Sequence, residues 1–182
     1  MSIEGLNEEE KEIERLADEE YFEAYSERTR YFLFFILFGG NVLINIDHGA
    51  LPGGKDGIEA STSINDWSFG VLGSVVYAGL TVGSLAATSI LAHGPAVKPA
   101  LAITLILNAG CLAAFSLSTT FAVLAFLRGL IGLFQVFCTI YMPVWADAFG
   151  KGETQKSIWV TGGLLASPLG VVFGYCLTYS IS

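Results

Sequence analysis

Apolar residues along this chain gather into five long runs separated by shorter, more polar connections. Each run is close to or longer than the ~20 residues that a helix needs to cross a ~30 Å hydrocarbon layer. The runs cover residues 31–51, 67–91, 98–117, 120–145 and 158–179. Only helices and closed barrels satisfy every backbone group in lipid, and the alternating pattern of a barrel strand is absent. The pattern therefore predicts an all-α fold, a multi-pass transmembrane bundle of five helices.

The composition favours the same fold class. Of the 182 residues, 53% are hydrophobic and only 14% are charged, whereas about 25% charged residues are usual in a soluble domain. The mean hydropathy is +0.59. The connections leave no room for a second soluble domain after residue 31, so the expected surroundings are a lipid bilayer.

Residues 1–30 form an acidic arm that differs from the rest of the chain. They hold eleven of the 17 acidic residues and four of the nine basic ones, so most of the formal net charge of -8 belongs to the arm. Without a basic start, an apolar core or a cleavage site, the arm is not a signal peptide. We expect a solvated amphipathic helix leading into the membrane; the alternative is a docking arm for a partner subunit. No basic patch typical of nucleic-acid binding occurs.

The basic residues predict the orientation of the bundle. With the N-terminus on the cytoplasmic or matrix side, five basic residues near the runs share that side and only Lys55 lies on the other. These five are Arg28, Arg30, Lys98, Lys151 and Lys156. Ser182 is then expected on the face opposite the N-terminus. The pattern does not specify which membrane is involved.

Glycines recur in the runs at spacings that favour close helix contact, because apolar side chains gain little by leaving lipid for each other. The glycines concerned are Gly79 with Gly83 in the second run, Gly132 in the fourth, and Gly170 with Gly174 in the fifth. Pro168, within the fifth run, predicts a bend or hinge there. Two interpretations remain open: tight packing alone, or hinged helices in a bundle that rocks during transport.

One ionisable residue stands well inside an apolar run. Arg128 lies about a third of the way into the fourth run, where exposure to lipid would cost about 2.5–3.5 kcal/mol, so it is expected to point into the bundle. Asp47, near the end of the first run, is the acid at a matching depth. We predict that Asp47 and Arg128 form a buried pair, with His48 and Asn45 as hydrogen-bonding neighbours. The pair either takes part in transport or only neutralises Arg128.

Enzymatic function is not expected. The chain has no phosphate-binding loop among its glycines, no HExxH motif and no Ser/His/Asp constellation with a pocket to hold it. Cys111, Cys138 and Cys176 all fall inside apolar runs without CxxC spacing, which favours small buried side chains over a metal site. No cofactor is expected either.

Four stretches, "NIDHG", "GVLGSVVYAGLTVGSL", "LAFLRGLIGLFQVFCTIYMPVWADAF" and "SPLGVVFGY", occur in this order along the chain. Together they resemble the N-terminal half of a major facilitator superfamily transporter of the spinster-like and protist type. "NIDHG" is similar to the end of the first helix of that family, and "GVLGSVVYAGLTVGSL" resembles its second. "LAFLRGLIGLFQVFCTIYMPVWADAF" resembles the fourth helix, with Arg128 and Gly132 at the spacing of its Arg-x-x-x-Gly signature. "SPLGVVFGY" is similar to the fifth. The resemblance extends over residues 31–179 and covers five of the six helices of one half.

The resemblance implies a twelve-helix transporter with solute between two halves, and an Asp47–Arg128 pair that switches partners on protonation. The chain departs from the family in two ways: His93 and Gly94 replace an Asp-Arg pair in one loop, leaving Lys98 as the only cation, and a sixth helix is missing. We therefore expect a transporter half or fragment for an unidentified small solute, needing a second half or another membrane chain. The alternative is a transporter-derived structural subunit of a larger membrane complex.

The distribution of basic residues can be tested by cysteine accessibility. Cysteines placed beside Lys98 and Lys151 should react with an impermeant thiol reagent from the side that carries the N-terminal arm, and cysteines beside Lys55 from the other side. Reaction of the site beside Lys55 from the arm side would reverse the orientation.

Overall fold

The computed structural model describes residues 25–62, 64–91 and 97–181. Over these ranges the chain is helical, and no strand occurs in them. In chain order the helices are α1 (Glu27–Ile44), α2 (Ile46–Gly53), α3 (Lys55–Thr62), α4 (Asp66–Leu91), α5 (Val97–Leu117), α6 (Phe121–Phe149) and α7 (Gly152–Tyr179). The part of the acidic arm at residues 1–24 lies outside the described residues.

Within the described ranges, five spans are long and apolar enough to cross a membrane. Together α1 and α2 form the first span, and α4, α5, α6 and α7 form the others. This confirms the predicted all-α, five-helix bundle and supports a multi-pass membrane protein.

Two of the helices extend well beyond the apolar runs that predict them. α6 continues to Phe149 and α7 begins at Gly152, so the long polar connection expected after residue 145 shrinks to Gly150 and Lys151. Half of the ten added residues are Ala, Glu, Gln or Lys, which favour helix, and most of the ten are polar. Hydropathy detects only the part of each helix that matches lipid.

The first helix begins within the predicted arm. Its N-cap is Ser26, whose hydroxyl accepts a hydrogen bond from the backbone N–H of Thr29 at 3.3 Å, so that Glu27 becomes the first helical residue. Arg30, one turn further on, is buried. The boundary between arm and bundle therefore lies before residue 30.

The first span is interrupted at Asn45, between α1 and α2. The N–H of Asn45 donates to the carbonyl of Val42 at 3.2 Å, and the N–H of His48 donates to the carbonyl of Asn45 at 3.3 Å, both over three residues rather than four. The Asn45 side chain turns back and donates to the carbonyl of Asn41 at 2.7 Å. By contrast, α7 is a single helix through Pro168, where a hinge was predicted.

The helices divide into two groups. α6 packs along α4 and α5, whereas α7 packs along α2 and α1; α6 also touches α7 and α1 and so joins the groups. We call them the central group (α4, α5, α6) and the outer group (α1, α2, α7). The bundle has an α3 end, where α2 and α7 finish, and an opposite end, where α1 begins and α4 and α6 finish.

Apolar layers close the two ends of the bundle. At the α3 end, Ile58 of α3 packs against Leu51, Leu72 and Leu124. At the opposite end, the rings of Trp145 and Trp159 stack with their centroids 5.1 Å apart. The aromatic layer joins α6 to α7, so both layers lie between helices of different groups.

Glycines allow α4 to lie directly against the backbone of α6. A Cβ atom on Gly79 would stand 2.0 Å from the carbonyl oxygen of Gly129, and one on Gly83 would stand 2.5 Å from that of Leu133. From the other helix, a Cβ on Gly132 would meet the carbonyl of Val76 at 2.1 Å. The helices are thus in backbone contact, as small residues permit in membranes.

A second glycine contact joins α2 to α7. A Cβ on Gly174 would lie 1.9 Å from the carbonyl oxygen of Ile46, and one on Gly49 would lie 1.8 Å from that of Val171. Gly170 faces the interruption itself, where an added Cβ would be 2.8 Å from the Cβ of Asn45. Each helix group therefore has its own close glycine interface.

The α4–α6 contact predicts different outcomes for two glycines of α4. Gly79→Ala should destabilise the protein by about 1–3 kcal/mol, because its methyl group would overlap the backbone of α6. Gly73→Ala is the matched control, since no atom lies within 4 Å of its added Cβ; it should be neutral or slightly stabilising. Thermal unfolding in detergent measures both. Equal melting temperatures for the two variants would contradict the contact.

Candidate functional site: a buried polar network

Asp47 of α2 and Arg128 of α6 form an ion pair inside the bundle. Nη1 of Arg128 donates to Oδ2 of Asp47, and the side chains are only 3% and 10% exposed for Arg128 and Asp47 respectively. The pair joins the outer group to the central group. It also neutralises a guanidinium that would be costly to leave alone in an apolar span.

The ion pair lies directly beneath the apolar layer of the α3 end. Leu51 follows Asp47 by one turn of α2, and Leu124 precedes Arg128 by one turn of α6; both are buried in that layer. The ring of Phe115 packs on the same layer and lies 5.9 Å from Cζ of Arg128. The layer therefore separates the pair from the α3 end.

A lysine fastens α3 to the start of α4 outside this layer. Nζ of Lys55 lies 2.5 Å from Oδ1 of Asp66 and 3.6 Å from Oε1 of Glu59. The hydrogen bond and negative charge of Asp66 raise the pKa of Lys55 above its ordinary value. The lysine is therefore cationic at neutral pH, and its charge is balanced locally rather than by the buried pair.

Uncharged polar groups continue the network below the ion pair. Gln135 follows Arg128 by two turns on the same face of α6. Nε2 of Gln135 lies 2.8 Å from Nε2 of His48 and donates to Oδ1 of Asn45 at 3.2 Å. An amide nitrogen has two hydrogens, so it can donate to both, with the His48 nitrogen as acceptor. Oγ of Ser167 donates to the same Asn45 oxygen at 2.9 Å.

The interruption of the first span positions this network. On and just after the interruption, the Asn45 amide, Asp47 and His48 all make contacts with α6 or α7. The close approach of Gly170 to Asn45 brings α7 near enough for Ser167 to donate its hydrogen bond. The glycine contact and the polar site are thus parts of one arrangement.

Two buried atoms of the ion pair lack hydrogen-bond partners among the described residues. These are Oδ1 of Asp47 and Nε of Arg128. Nε2 of His48 lies 4.0 Å from Oδ1, which is too long for a hydrogen bond. Buried polar groups are normally satisfied, so this part of the network has capacity to bind a further polar group.

The structure brings together the four residues proposed as a charge site, Asp47, Arg128, His48 and Asn45. The sequence analysis missed Gln135 and Ser167, which link His48, Asn45 and α7. Gln135 could have been found, because it is a polar residue in an apolar run at seven residues from Arg128. Ser167 carried no comparable signal, since hydroxyl residues are scattered through the runs.

The other proposed site residues lie elsewhere. His93 falls outside the described residues, and Lys98 is exposed at the start of α5, so the structure does not place the loop remnant at the network. Pro168 follows Ser167 within α7 and takes no part in the hydrogen bonds of the network described above. Among the described residues, no group of three or more His, Cys, Asp or Glu side chains could hold a metal ion.

No protein-family model matches the chain, and no significant match to it was found among curated proteins or solved structures. The geometry of the network is therefore the basis for assigning a function.

Neutralising Asp47 should reveal how strongly the buried pair is coupled. Asp47→Asn leaves a buried guanidinium without its counter-charge, and we expect the free energy of unfolding to fall by about 3–5 kcal/mol. The control is Asp147→Asn, because Asp147 pairs with Lys156 at 3.0 Å but is 76% exposed. This substitution should lower the free energy of unfolding by less than about 1 kcal/mol.

Unfolding in detergent should be measured for both variants and for Asp47→Asn combined with Arg128→Gln. The combined variant should be more stable than Asp47→Asn alone, because it removes the unpaired charge. If each single substitution leaves stability unchanged, the two groups are not coupled.

Proposed function

We propose that this chain is one half, or a fragment, of a major facilitator superfamily-type transport protein for a small solute, and that it needs a partner chain to complete the pathway. The observation that carries the proposal is the Asp47–Arg128 pair, held beside His48 and Gln135 inside otherwise apolar spans. Ionisable residues in such spans are costly, and they commonly mark paths for solutes or ions. The proposal includes no enzymatic reaction and no cofactor.

The origin of the network supports this function. Its side chains come from the first span, α6 and α7, so no single helix forms it. Transport sites are typically built in this way, from several helices near the middle of the bilayer and beside an interrupted helix. The interruption at Asn45 supplies that last feature.

The exposed surface of the bundle supports the need for a partner. Only 17% to 39% of the apolar window of each span is buried within the chain. The side chains of the network are buried or half-buried within the chain, whereas the outer faces of the spans have no cover among the described residues. A second membrane chain, or a second transporter half, would supply the remaining wall.

A structural subunit of a larger membrane complex is the second candidate function. It is favoured by the pairing of Asp47 with Arg128 within the chain, because this neutralises the arginine without any solute. The largely exposed spans would then bind other subunits. The two candidates differ in one measurable property, which is whether the assembled protein binds a small solute.

Solute binding can be tested on the protein purified with its native partners in mild detergent. Mass spectrometry gives the composition, and thermal unfolding is then measured against a panel of small polar solutes. A solute present at 100 times its Kd should stabilise the assembly by about 2.7 kcal/mol. Gln135→Leu should abolish this shift, whereas Gln155→Leu, near the start of α7 and outside the network, should retain it.

The outcomes separate the two candidates. Purification of the chain as an isolated monomer would contradict both. A large assembly that contains the chain, but whose stability responds to no solute, would favour the structural subunit. A shift that survives Gln135→Leu would show that the solute binds elsewhere.

A further inference from the structure

The two exposed flanks of α4 differ in chemistry. On one flank, Ser74, Tyr77, Thr81, Ser84 and Thr88 recur every three or four residues, within about 80° of the helix circumference. On the other flank, Val82 and Ala86 are apolar and exposed, and they lie about 100° and 140° from Thr81 around the helix. Between the flanks, Gly79 and Gly83 mark the face that contacts α6. We call the first flank the hydroxyl face.

Most hydroxyls of this face already donate to their own helix. Thr81 donates to the carbonyl of Tyr77 at 2.9 Å, and Thr88 donates to that of Ser84 at 2.8 Å. Ser74 and Ser84 donate in the same way. Such back-bonded groups tolerate lipid, but their lone pairs remain free to accept hydrogen bonds from water or a solute.

Tyr77 indicates that this face contacts water rather than lipid. It lies near the middle of the 26-residue α4 and is 61% exposed. Its hydroxyl has no hydrogen-bond partner among the described residues. Tyrosines of membrane proteins favour the interface with water, and an unpartnered phenol halfway through a span would be costly in lipid.

The hydroxyl face is continuous with the buried network. The ring centroids of Tyr77 and His48 are 6.0 Å apart, so the face borders the network at His48. One turn of α6 beyond Gln135, Thr139 is also exposed, although neighbouring positions of that helix are buried. Hydroxyls of two helices thus lead from His48 toward the opposite end of the bundle.

Only one end of this route is open. Toward the α3 end, the apolar layer of Leu51, Leu72 and Leu124 lies between the network and the exterior. Toward the opposite end, exposed Thr81, half-buried Ser84 and exposed Thr88 follow one another along the hydroxyl face. The route therefore begins at the end where α4 and α6 finish.

We propose that the hydroxyl face of α4 is one wall of a water-filled path from the opposite end of the bundle to His48, suited to an uncharged, hydrogen-bonding solute. The wall offers hydroxyl acceptors and the Tyr77 ring, and it contains no charged residue. Asp47 and Arg128 at the end of the path neutralise each other. The path depends on the proposed function only for its opposite wall, which the partner would supply.

Cysteine labelling on the two flanks of α4 tests this path. In a background with Cys111, Cys138 and Cys176 replaced by alanine, single cysteines are placed at Thr81 and Ser84, and at Val82 and Ala86 as controls at similar depth. Membrane vesicles from cells that express the full chain are treated with an impermeant methanethiosulfonate reagent, and the labelled fraction is followed by mass shift.

Thr81→Cys and Ser84→Cys should react at least about tenfold faster than the two controls, because the reactive thiolate forms in water and not in lipid. The reaction should occur from the side of the opposite end and not from the α3 side. Equal rates on both flanks, faster reaction of the controls, or no reaction at Thr81→Cys would each overturn the path. Detergent elution profiles confirm that each variant is folded.

The absence of charge on the wall is tested by comparing the labelling rates of cationic and anionic reagents. Cationic and anionic methanethiosulfonate reagents should label Thr81→Cys in nearly the ratio of rates that they show with a small thiol in solution. A path lined by one sign of charge would change this ratio by about tenfold or more, which would overturn the assignment to an uncharged solute.

Labelling reports water access and does not require a solute. An assembly that binds a solute through Gln135, but whose hydroxyl face stays unlabelled, overturns the path and leaves the proposed function intact. A labelled face on an assembly without a solute overturns the proposed function and leaves the path intact.

Discussion

A guanidinium placed inside a lipid-spanning helix must find a counter-charge, and the rest of the bundle is arranged around that requirement. Arg128 on α6 obtains it from Asp47, which belongs to a different helix group. The pairing fixes the depth and rotation of α2 relative to α6. It also accounts for the apolar layer above the pair, since a cover that excludes water and lipid strengthens the attraction between the charges.

The glycine contacts are the second determinant, because they set how closely the helices can approach. In lipid, association gains from van der Waals contact and not from removal of apolar surface from water. Gly79, Gly83 and Gly132 achieve this contact within the central group, and Gly49 and Gly174 within the outer group. The polar network then links the central group to the outer group.

Much of the fold follows from the sequence because the thickness of a bilayer constrains helix length. Five apolar runs predict five spans, and the structure shows them. The interruption at Asn45 was not predicted, since Pro168 is the obvious helix breaker and an asparagine within a run gives no such signal. Of the site, Asp47 and Arg128 could be paired by depth, because few opposite charges were available. Ser167 could not, because its role depends on how closely α7 approaches Asn45.

The division of the bundle into two groups decides where it can yield. Within each group, backbones touch through glycines, and sliding one helix past another would force carbonyl oxygens into neighbouring atoms. Between the groups, contact passes through the buried Asp47–Arg128 pair, the exposed Asp147–Lys156 pair, a few side-chain hydrogen bonds, and apolar layers at the ends. Side-chain contacts of this kind can rearrange by changes of rotamer, which a backbone contact cannot. We therefore expect the bundle to yield first at the junction between the groups, and the buried charges lie at that junction.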